Sequence, residues 1–218
     1  FGIRCIKDIS VWVKDRMEVK DIKEAIVESL LRFYYFLEAM YQVPGLRRHF
    51  NRIIQRLVLV ESKRFAGGAL STYHEMALSV FYGSLDFHTI AHEFGHLIHG
   101  CKSWRCWLTN MIYPNGYPGI PIGKFISLHR MSSSDYEFIS SHSQENWMED
   151  FAELFSMYVL DSNYVIQRAQ NLLQRYDNSI LWEKLGIVTM PFKVGNNRYI
   201  FYTDEPNFTI WVIEALAS

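Results

Sequence analysis

The chain has 218 residues, of which 49% are hydrophobic and 21% charged, and its formal net charge is −1. This much apolar material argues against disorder, and the length suits one domain built as two lobes around a cleft. Because the charge is balanced and no long basic run is present, nucleic acid is not an expected partner. No apolar run reaches the roughly 18 residues needed to cross a bilayer, so no membrane span is predicted.

The cysteines and the first residue are less informative about the class of protein. Cys5, Cys101 and Cys106 form an odd set without a CxxC pair, which disfavours a zinc site built from thiolates. A disulfide between Cys101 and Cys106 stays open, and so does the oligomeric state. Because the chain begins with Phe1 and shows no signal peptide, we expect a processed or trimmed piece of a longer product.

Hydrophobic periodicity and turn residues divide the chain into helical and extended segments. In chain order they are a helix over 20–41, a basic helix over 46–56, strands over 57–60, 69–73 and 76–81, a helix over 86–99, an irregular stretch over 102–135, helices over 143–160 and 164–176, and a hairpin over 192–203. Gly67 and Gly68 separate the first two strands, and Gly100 suits a helix end. Ser141 with Gln144 resembles a capping box at the start of the 143–160 helix. The irregular stretch is more typical of a cover over a site than of a linker.

One motif carries most of the functional information. Residues His92 to His96 read HEFGH, an HExxH pattern, within a segment predicted to be helical. Residues four apart lie one turn above each other, so His92 and His96 can hold one metal ion between them. Glu93 is rotated by about 100° around the helix and points toward a reacting water rather than toward the metal. The pattern is typical of zinc metallopeptidases.

A catalytic zinc ion normally takes three protein ligands, so a third is needed. The 143–160 helix carries Glu149 and Glu153 on one face of a largely apolar surface. Two acidic side chains there need a partner, and a metal with its histidines is one. With Glu149 as the ligand, Glu153 can accept a hydrogen bond from a liganding imidazole. Glu145, one turn earlier, is the rival third ligand, and a solvated acidic stripe is the alternative to any metal site.

These two motifs, HEFGH and the later EDFAE of Glu149 to Glu153, resemble those of the zinc peptidases grouped around anthrax lethal factor and the clostridial Pro-Pro endopeptidases. The resemblance covers residues 57–160 at most. It implies an α+β, thermolysin-like zincin fold of gluzincin type. Residues 1–100 would form a small mixed sheet with the active-site helix, and 101–218 a mainly helical lobe, within one metallopeptidase domain. It also implies His92, His96 and Glu149 as ligands of one zinc ion, Glu93 as general base, and Glu153 as the partner of a liganding histidine.

The chain departs from that family pattern at two positions. Where those toxins place an aspartate three residues after the second histidine, this chain has His99, which we expect to support the ligands or to pack beside them. Where the family has a tyrosine that stabilises the transition state, seven residues before the liganding glutamate, this chain has His142. His142 or Tyr136 is therefore the candidate donor to the developing oxyanion.

The substrate is expected to be a polypeptide that pairs with an edge strand above the active-site helix. Either of the strands over 69–73 and 76–81 suits this role, and glycine would allow close backbone approach. The predicted substrate contacts are Gly68, Ala69, Leu70 and Ser71. Aromatic residues of the covering stretch, Tyr113, Tyr117 and Phe125, either shape side-chain pockets or anchor that stretch by packing.

The sequence thus predicts a zinc endopeptidase. By analogy with the toxins it would be a secreted toxin or effector of narrow specificity, delivered into a host cell; a cytoplasmic location stays open. One alternative is a catalytically inert zincin-fold module that binds a protein partner, for which the histidine at position 142 is the support. Another is a structural metal site with four protein ligands, of which His99 or Glu145 would be the fourth.

Overall fold

The computed structural model describes residues 4–6, 19–60, 67–70, 74–80, 85–100, 117–194, 197–204 and 207–213. Its helices are α1 (Val19–Gln42), α2 (Pro44–Arg47), α3 (Phe50–Ile53), α4 (Phe87–His99), α5 (Ile122–Met131), α6 (Trp147–Leu160), α7 (Ser162–Tyr176) and α8 (Ile180–Val188). Its strands are β1 (Arg4–Ile6), β2 (Arg56–Val60), β3 (Gly67–Leu70), β4 (Glu75–Ser79), β5 (Lys193–Val194), β6 (Asn197–Asp204) and β7 (Asn207–Ile213). Helices predominate over two small sheets, which agrees with the predicted α+β class.

The first sheet positions an edge strand beside α4. Its strand order is β1-β2-β4-β3, with β1, β2 and β4 parallel and β3 antiparallel to β4. Strand β4 is buried throughout, as expected for an interior strand. Strand β3 contacts α4 and has β4 as its neighbour on one side only, so within the described residues its other side is a sheet edge. Strands β5, β6 and β7 form a separate antiparallel sheet.

Helix α4 packs directly on α6, and a glycine sets their distance. A Cβ atom built on Gly95 would lie 3.0 Å from the Cα atom of Ala152 and 3.3 Å from the Cβ atom of Phe155. Phe94, the residue before Gly95, packs on Phe36 of α1 and on Phe155 of α6. The two helices that carry the predicted ligands are therefore held close together by one continuous hydrophobic core.

The boundaries of both ligand helices have local causes. Asp86 caps α4, because its side chain accepts a hydrogen bond from the backbone N–H of Thr89 at 2.7 Å. Gly100 ends α4 in the left-handed conformation with φ of 70°, as predicted. Helix α6 begins later than predicted. The capping box expected at Ser141 is wrong, because Asn146 is the cap and accepts from the backbone N–H groups of Met148 and Glu149.

Other sequence-based boundaries are corrected as well. The basic helix predicted over 46–56 is wrong in extent, since α2 and α3 have four residues each and strand β2 already begins at Arg56. Gly67 and Gly68 lie inside β3 rather than before it. The stretch predicted to be irregular over 102–135 contains helix α5, which buries Ile122, Phe125 and Ile126 at helical spacing.

Some predictions concern residues outside the described part of the chain. Cys101, Cys106, Tyr113 and Ser71 lie there, and the described part of strand β3 gives no account of the Leu70 side chain. Among the described residues, no helix is both long and apolar enough to cross a membrane. Phe125 packs on Phe151 inside the core, which makes it a packing anchor rather than part of a pocket.

Candidate metal centre

Three potential metal-donor atoms, contributed by two helices, lie close together. Helix α4 contributes His92 and His96, and the first turn of α6 contributes Glu149. The Nε2 atoms of His92 and His96 are 3.1 Å apart. The Oε2 atom of Glu149 lies 3.1 Å from Nε2 of His92 and 3.2 Å from Nε2 of His96. The donor atoms thus form a triangle with nearly equal sides.

The size and chemistry of this triangle fit a zinc ion. A tetrahedral zinc with donor atoms at about 2.0–2.1 Å separates those donors by about 3.3 Å, close to the distances observed here. Two imidazole nitrogens and a carboxylate oxygen are also the donor types that catalytic zinc takes in this combination. The residues present therefore fit the metal that the sequence predicts.

A second contact on each histidine orients its ring. The Nδ1 atom of His92 lies 2.8 Å from Oε1 of Glu153, and Nδ1 of His96 lies 2.9 Å from Nε2 of His99. A proton on each Nδ1 leaves the lone pair of Nε2 facing the triangle. His99 is buried between Trp147 and Phe151, so it supports His96 from behind and does not face the three donor atoms.

In the metal-free site, close contacts between the histidines and the glutamates shift the pKa values of His92, Glu149 and Glu153. Burial lowers the pKa of His92, but its contacts with Glu149 and Glu153 outweigh burial and raise the pKa to about 9. Hydrogen bonds with His92 and His96 lower the pKa of Glu149 far below its usual range. Burial raises the pKa of Glu153, yet its contacts with His88, His92 and Ser140 outweigh burial and lower it. Both carboxylates are therefore ionised at neutral pH.

Glu93 lies beside the triangle and shares its cleft. Its carboxylate is buried and rests against Gly67 of strand β3, whose added Cβ atom would be 2.9 Å from Oε1 of Glu93. The cleft has a volume of about 350 Å³ and is lined by the triangle, Glu93, His142 and the start of β3. A buried carboxylate, three potential metal donors and an open strand edge therefore meet in one cavity.

A match to a known protein family agrees with this site. A family described as "Putative zinc-binding metallo-peptidase" matches residues 76–193, which is more than half of the chain. The chain belongs to this family. It is also similar to a solved structure from Bacteroides caccae described in the same words, with 14% identity and a TM-score of 0.48. That similarity covers 86% of this chain and 77% of the other. No curated protein matches.

Of the two oxyanion donors predicted from the sequence, His142 is the one that lines the cleft beside the triangle. Its ring stacks on His92 with ring centroids 5.5 Å apart, and its Nε2 atom lies 3.2 Å from Oε2 of Glu149. Its Nδ1 atom lies 2.8 Å from Oε1 of Glu145. Each ring nitrogen of His142 therefore lies within about hydrogen-bonding distance of a carboxylate oxygen.

The other rivals named from the sequence lie elsewhere. Glu145 is exposed and contacts His142 rather than the triangle. The ring of Tyr136 stacks on Tyr176 at 5.9 Å, and Tyr136 does not line the cleft. A second group that could hold a metal combines His92, His142 and Glu153. We favour the first group, because its three donor atoms form the nearly equal triangle that fits a tetrahedral zinc ion.

The predicted substrate strand lies along the cleft. Gly68 and Ala69 of β3 line it, and a Cβ atom added to Gly68 would meet nothing within 4 Å. Ala69 pairs with Met76 of β4, so its backbone is held by the sheet. Of the two strands that the sequence offers for this role, β3 lies at the edge of the described sheet and β4 is interior.

Sequence reasoning missed a buried polar cluster on the far side of α6. Asp150 Oδ2 lies 2.7 Å from Nζ of Lys184 and 2.9 Å from Nδ1 of His129. Lys184 also donates to the carbonyl of Glu137 and lies over the ring of Phe138. Because Asp150 neighbours Glu149 in sequence, this cluster ties the ligand helix to α5, to α8 and to the segment before His142. The acidic EDFAE motif was the available signal, but it gave no indication of the partners.

Proposed function

We propose that the chain is a zinc-dependent endopeptidase of gluzincin type with a thermolysin-like zincin fold. The observation that carries this proposal is the triangle of His92, His96 and Glu149 with Glu93 beside it in one cleft. The membership of a zinc-binding metallo-peptidase family supports it. A structural metal site is less well supported, since neither His99 nor Glu145 presents an atom to the triangle.

The ligand histidines and Glu149 would hold one zinc ion. A bound zinc ion supplies positive charge that polarises the scissile carbonyl and lowers the pKa of water. Glu153 and His99 hold the two imidazoles in the orientation that binding requires. The tight packing of α4 on α6 through Gly95 keeps the third ligand at a fixed distance from the first two.

Glu93 acts as the general base. Its carboxylate accepts a proton from the attacking water and passes it to the nitrogen of the leaving amine. Burial against Gly67 restricts its side chain to the wall of the cleft, so little entropy is lost in positioning it. His142, at the same cleft, donates from Nε2 to the oxygen on which negative charge develops.

The polypeptide substrate would add to the edge of the first sheet. Backbone groups of β3 at Gly68 and Ala69 pair with the extended substrate, as in other complexes formed by strand addition. The absence of a side chain at Gly68 leaves space for substrate residues near the bond to be cut. A toxin or effector role for the chain rests on the resemblance of the two motifs alone.

The deciding experiment compares cleavage of a diverse peptide library by the zinc-loaded parent and by Glu93→Gln, read by mass spectrometry. Zinc content is measured on the same samples. Glu38→Gln, a change of the same kind at an exposed position of α1, is the matched control. We expect the parent and Glu38→Gln to make the same cuts, and Glu93→Gln to bind zinc equally and make none.

Two outcomes would contradict the proposal. Cuts that persist in Glu93→Gln would come from another protease. An absence of cuts by the zinc-loaded parent, on the library and on folded proteins, would favour the alternative of an inert protein-binding module.

A further inference from the structure

A second groove, of about 470 Å³, is lined by residues other than those of the metal cleft. One wall is a single face of α7, formed by residues at helical spacing from Tyr164 to Arg175. The other wall includes Tyr136, which belongs to the 3-10 turn Asp135–Glu137. The groove shares none of its lining residues with the metal centre.

Three half-exposed tyrosines line this groove. Tyr136, Tyr164 and Tyr176 keep 44%, 43% and 66% of their surface accessible, and the rings of Tyr136 and Tyr176 are stacked. Single exposed aromatic residues are common, but a cluster of them with arginine is typical of interaction surfaces. The tyrosines therefore indicate a binding surface.

The positive charge of the groove is uncompensated. Arg168 donates from Nη1 to the hydroxyl of Tyr164 at 3.2 Å and from Nη2 to the carbonyl of Phe138 at 2.8 Å. Its Nε atom is buried and has no hydrogen-bond partner among the described residues. No carboxylate of the described chain pairs with Arg168 or with Arg175, and no acidic side chain lines the groove. A partly buried guanidinium without a counter-charge favours an anionic ligand.

The carboxylate of Glu137, which follows Tyr136 in the same turn, already has hydrogen-bond partners. Glu137 accepts hydrogen bonds from the backbone N–H groups of Ser133 and Ser134 and from the amide of Asn178. These bonds lower its pKa although burial raises it, so the carboxylate stays ionised and engaged. It therefore does not neutralise the two arginines of the groove.

The length of the groove favours a polypeptide. Twelve residues separate Tyr164 from Tyr176 along α7, a distance of about 18 Å, which matches five or six residues of an extended chain. Nucleic acid is less suitable, since its phosphates are usually neutralised by many more than two arginines, and the whole chain has a net charge of −1. In an extended peptide with acidic and aromatic residues, the acidic side chains can pair with the two arginines and the aromatic side chains can pack on the tyrosine rings.

We infer that this groove binds an acidic segment of the polypeptide substrate, outside the bond that is cut; the substrate assignment rests on the proposed peptidase function. The same chain segment joins the two sites, because Tyr136 precedes His142 by six residues. Six residues span at most about 20 Å, so one extended polypeptide reaches from the groove to the metal cleft.

The first test measures binding on the full Glu93→Gln chain, so it does not depend on cleavage. The probe is fluorescein-labelled (Glu-Glu-Tyr)₃, compared with (Lys-Lys-Tyr)₃ and with a labelled nine-residue oligothymidylate, by fluorescence anisotropy. Arg175→Glu is expected to weaken binding of the acidic peptide about tenfold or more. Arg130→Glu, the same change at an exposed position of α5, is expected to leave it unchanged.

Equal binding of the lysine peptide, tighter binding of the oligonucleotide, or an Arg175→Glu variant that binds like Arg130→Glu would overturn the inference. A second test uses a peptide that the parent cleaves, with and without a (Glu-Glu-Tyr)₃ extension. The extension should lower KM several-fold in the parent but not in Arg175→Glu. If the acidic peptide binds and KM stays the same, the assignment to substrate is wrong; if no peptide is cleaved, it is the peptidase proposal that fails.

Discussion

Gly67 lies against Glu93 so closely that a Cβ atom built on Gly67 would be 2.7 Å from Cγ and 2.9 Å from Oε1 of that glutamate. The edge strand of the sheet therefore forms a wall against Glu93, the proposed general base. This relationship links a backbone feature of β3 to the chemistry of α4.

Gly67→Ala should displace Glu93 and lower kcat by about ten- to a hundredfold, since small misplacements of a catalytic group have effects of that size. Zinc affinity should be unchanged, because the three atoms nearest to the added Cβ all belong to Glu93 and none to a proposed ligand. Gly68→Ala is the matched control: its added Cβ atom meets nothing within 4 Å, so kcat should be kept and only KM should shift. Steady-state kinetics on a cleaved peptide separate the two. Equal losses of kcat in both variants would contradict this role of Gly67.

Glu149 and Glu145 offer a second matched pair. Glu149→Gln changes the proposed third ligand, whose Oε2 atom lies 3.1 Å from His92 Nε2, and zinc affinity should fall by at least about a hundredfold. Glu145→Gln changes an exposed carboxylate that contacts only His142 among these groups, and zinc affinity should change by less than about threefold. Competition with a fluorescent chelator measures both. A larger loss in Glu145→Gln would make Glu145 the third ligand.

The pKa of His92 predicts how the metal-free protein responds to pH. Burial opposes the charged ring, but Glu149 and Glu153 raise the folded-state pKa to about 9, against about 6.5 in the unfolded chain. The protonated ring therefore stabilises the metal-free fold fully below pH 6.5, and this contribution is lost as the pH rises through about 9. Urea denaturation of chelator-treated protein between pH 6 and 9 should show a falling free energy of unfolding. His92→Gln should reduce this slope; an unchanged slope would show that other groups cause it.

Much of the metal site could be predicted from local sequence, because its parts are set by helical spacing. His92 and His96, like Glu149 and Glu153, are four residues apart, and four residues make about one turn of a helix. Asp86 caps the start of α4 and the left-handed Gly100 ends it. Both are local sequence signals, so the sequence predicts the bounds of this helix.

Contacts between distant segments could not be predicted in this way. The helix Ile122–Met131 follows Pro121 and contains Gly123, and these residues suggested a loop although its apolar face is buried. Lys184 is an ordinary lysine in the sequence, and only the fold brings it to Asp150, 34 residues away. Tertiary packing likewise determines which residue of the Ser132–Asn146 segment lines the metal cleft. In the structure His142 lines this cleft, whereas Tyr136 lines the second groove.

The buried pair of Lys184 and Asp150 should matter for stability. Lys184→Met leaves the Asp150 carboxylate buried with the His129 ring as its remaining side-chain partner, and should cost about 3 kcal/mol. The double variant Lys184→Met with Asp150→Asn removes both charges at similar volume and should recover at least half of the loss. Urea denaturation of the metal-free variants measures this. A single variant within about 1 kcal/mol of the parent would show that the pair contributes little.

Gly95 and Gly186 both lie inside helices, yet alanine should have opposite effects at the two positions. A Cβ atom at Gly95 would be 3.0 Å from the Cα atom of Ala152, so α4 and α6 must separate slightly. This overpacking should cost about 1–2 kcal/mol and should weaken zinc binding, because Glu149 moves away from the histidines. At Gly186 of α8 nothing lies within 4 Å, so alanine should stabilise the protein by about 0.5–1 kcal/mol through helix propensity and leave zinc affinity unchanged. Denaturation and chelator competition on the two variants test this together. Tight zinc binding by Gly95→Ala would mean that helix spacing does not control the metal site.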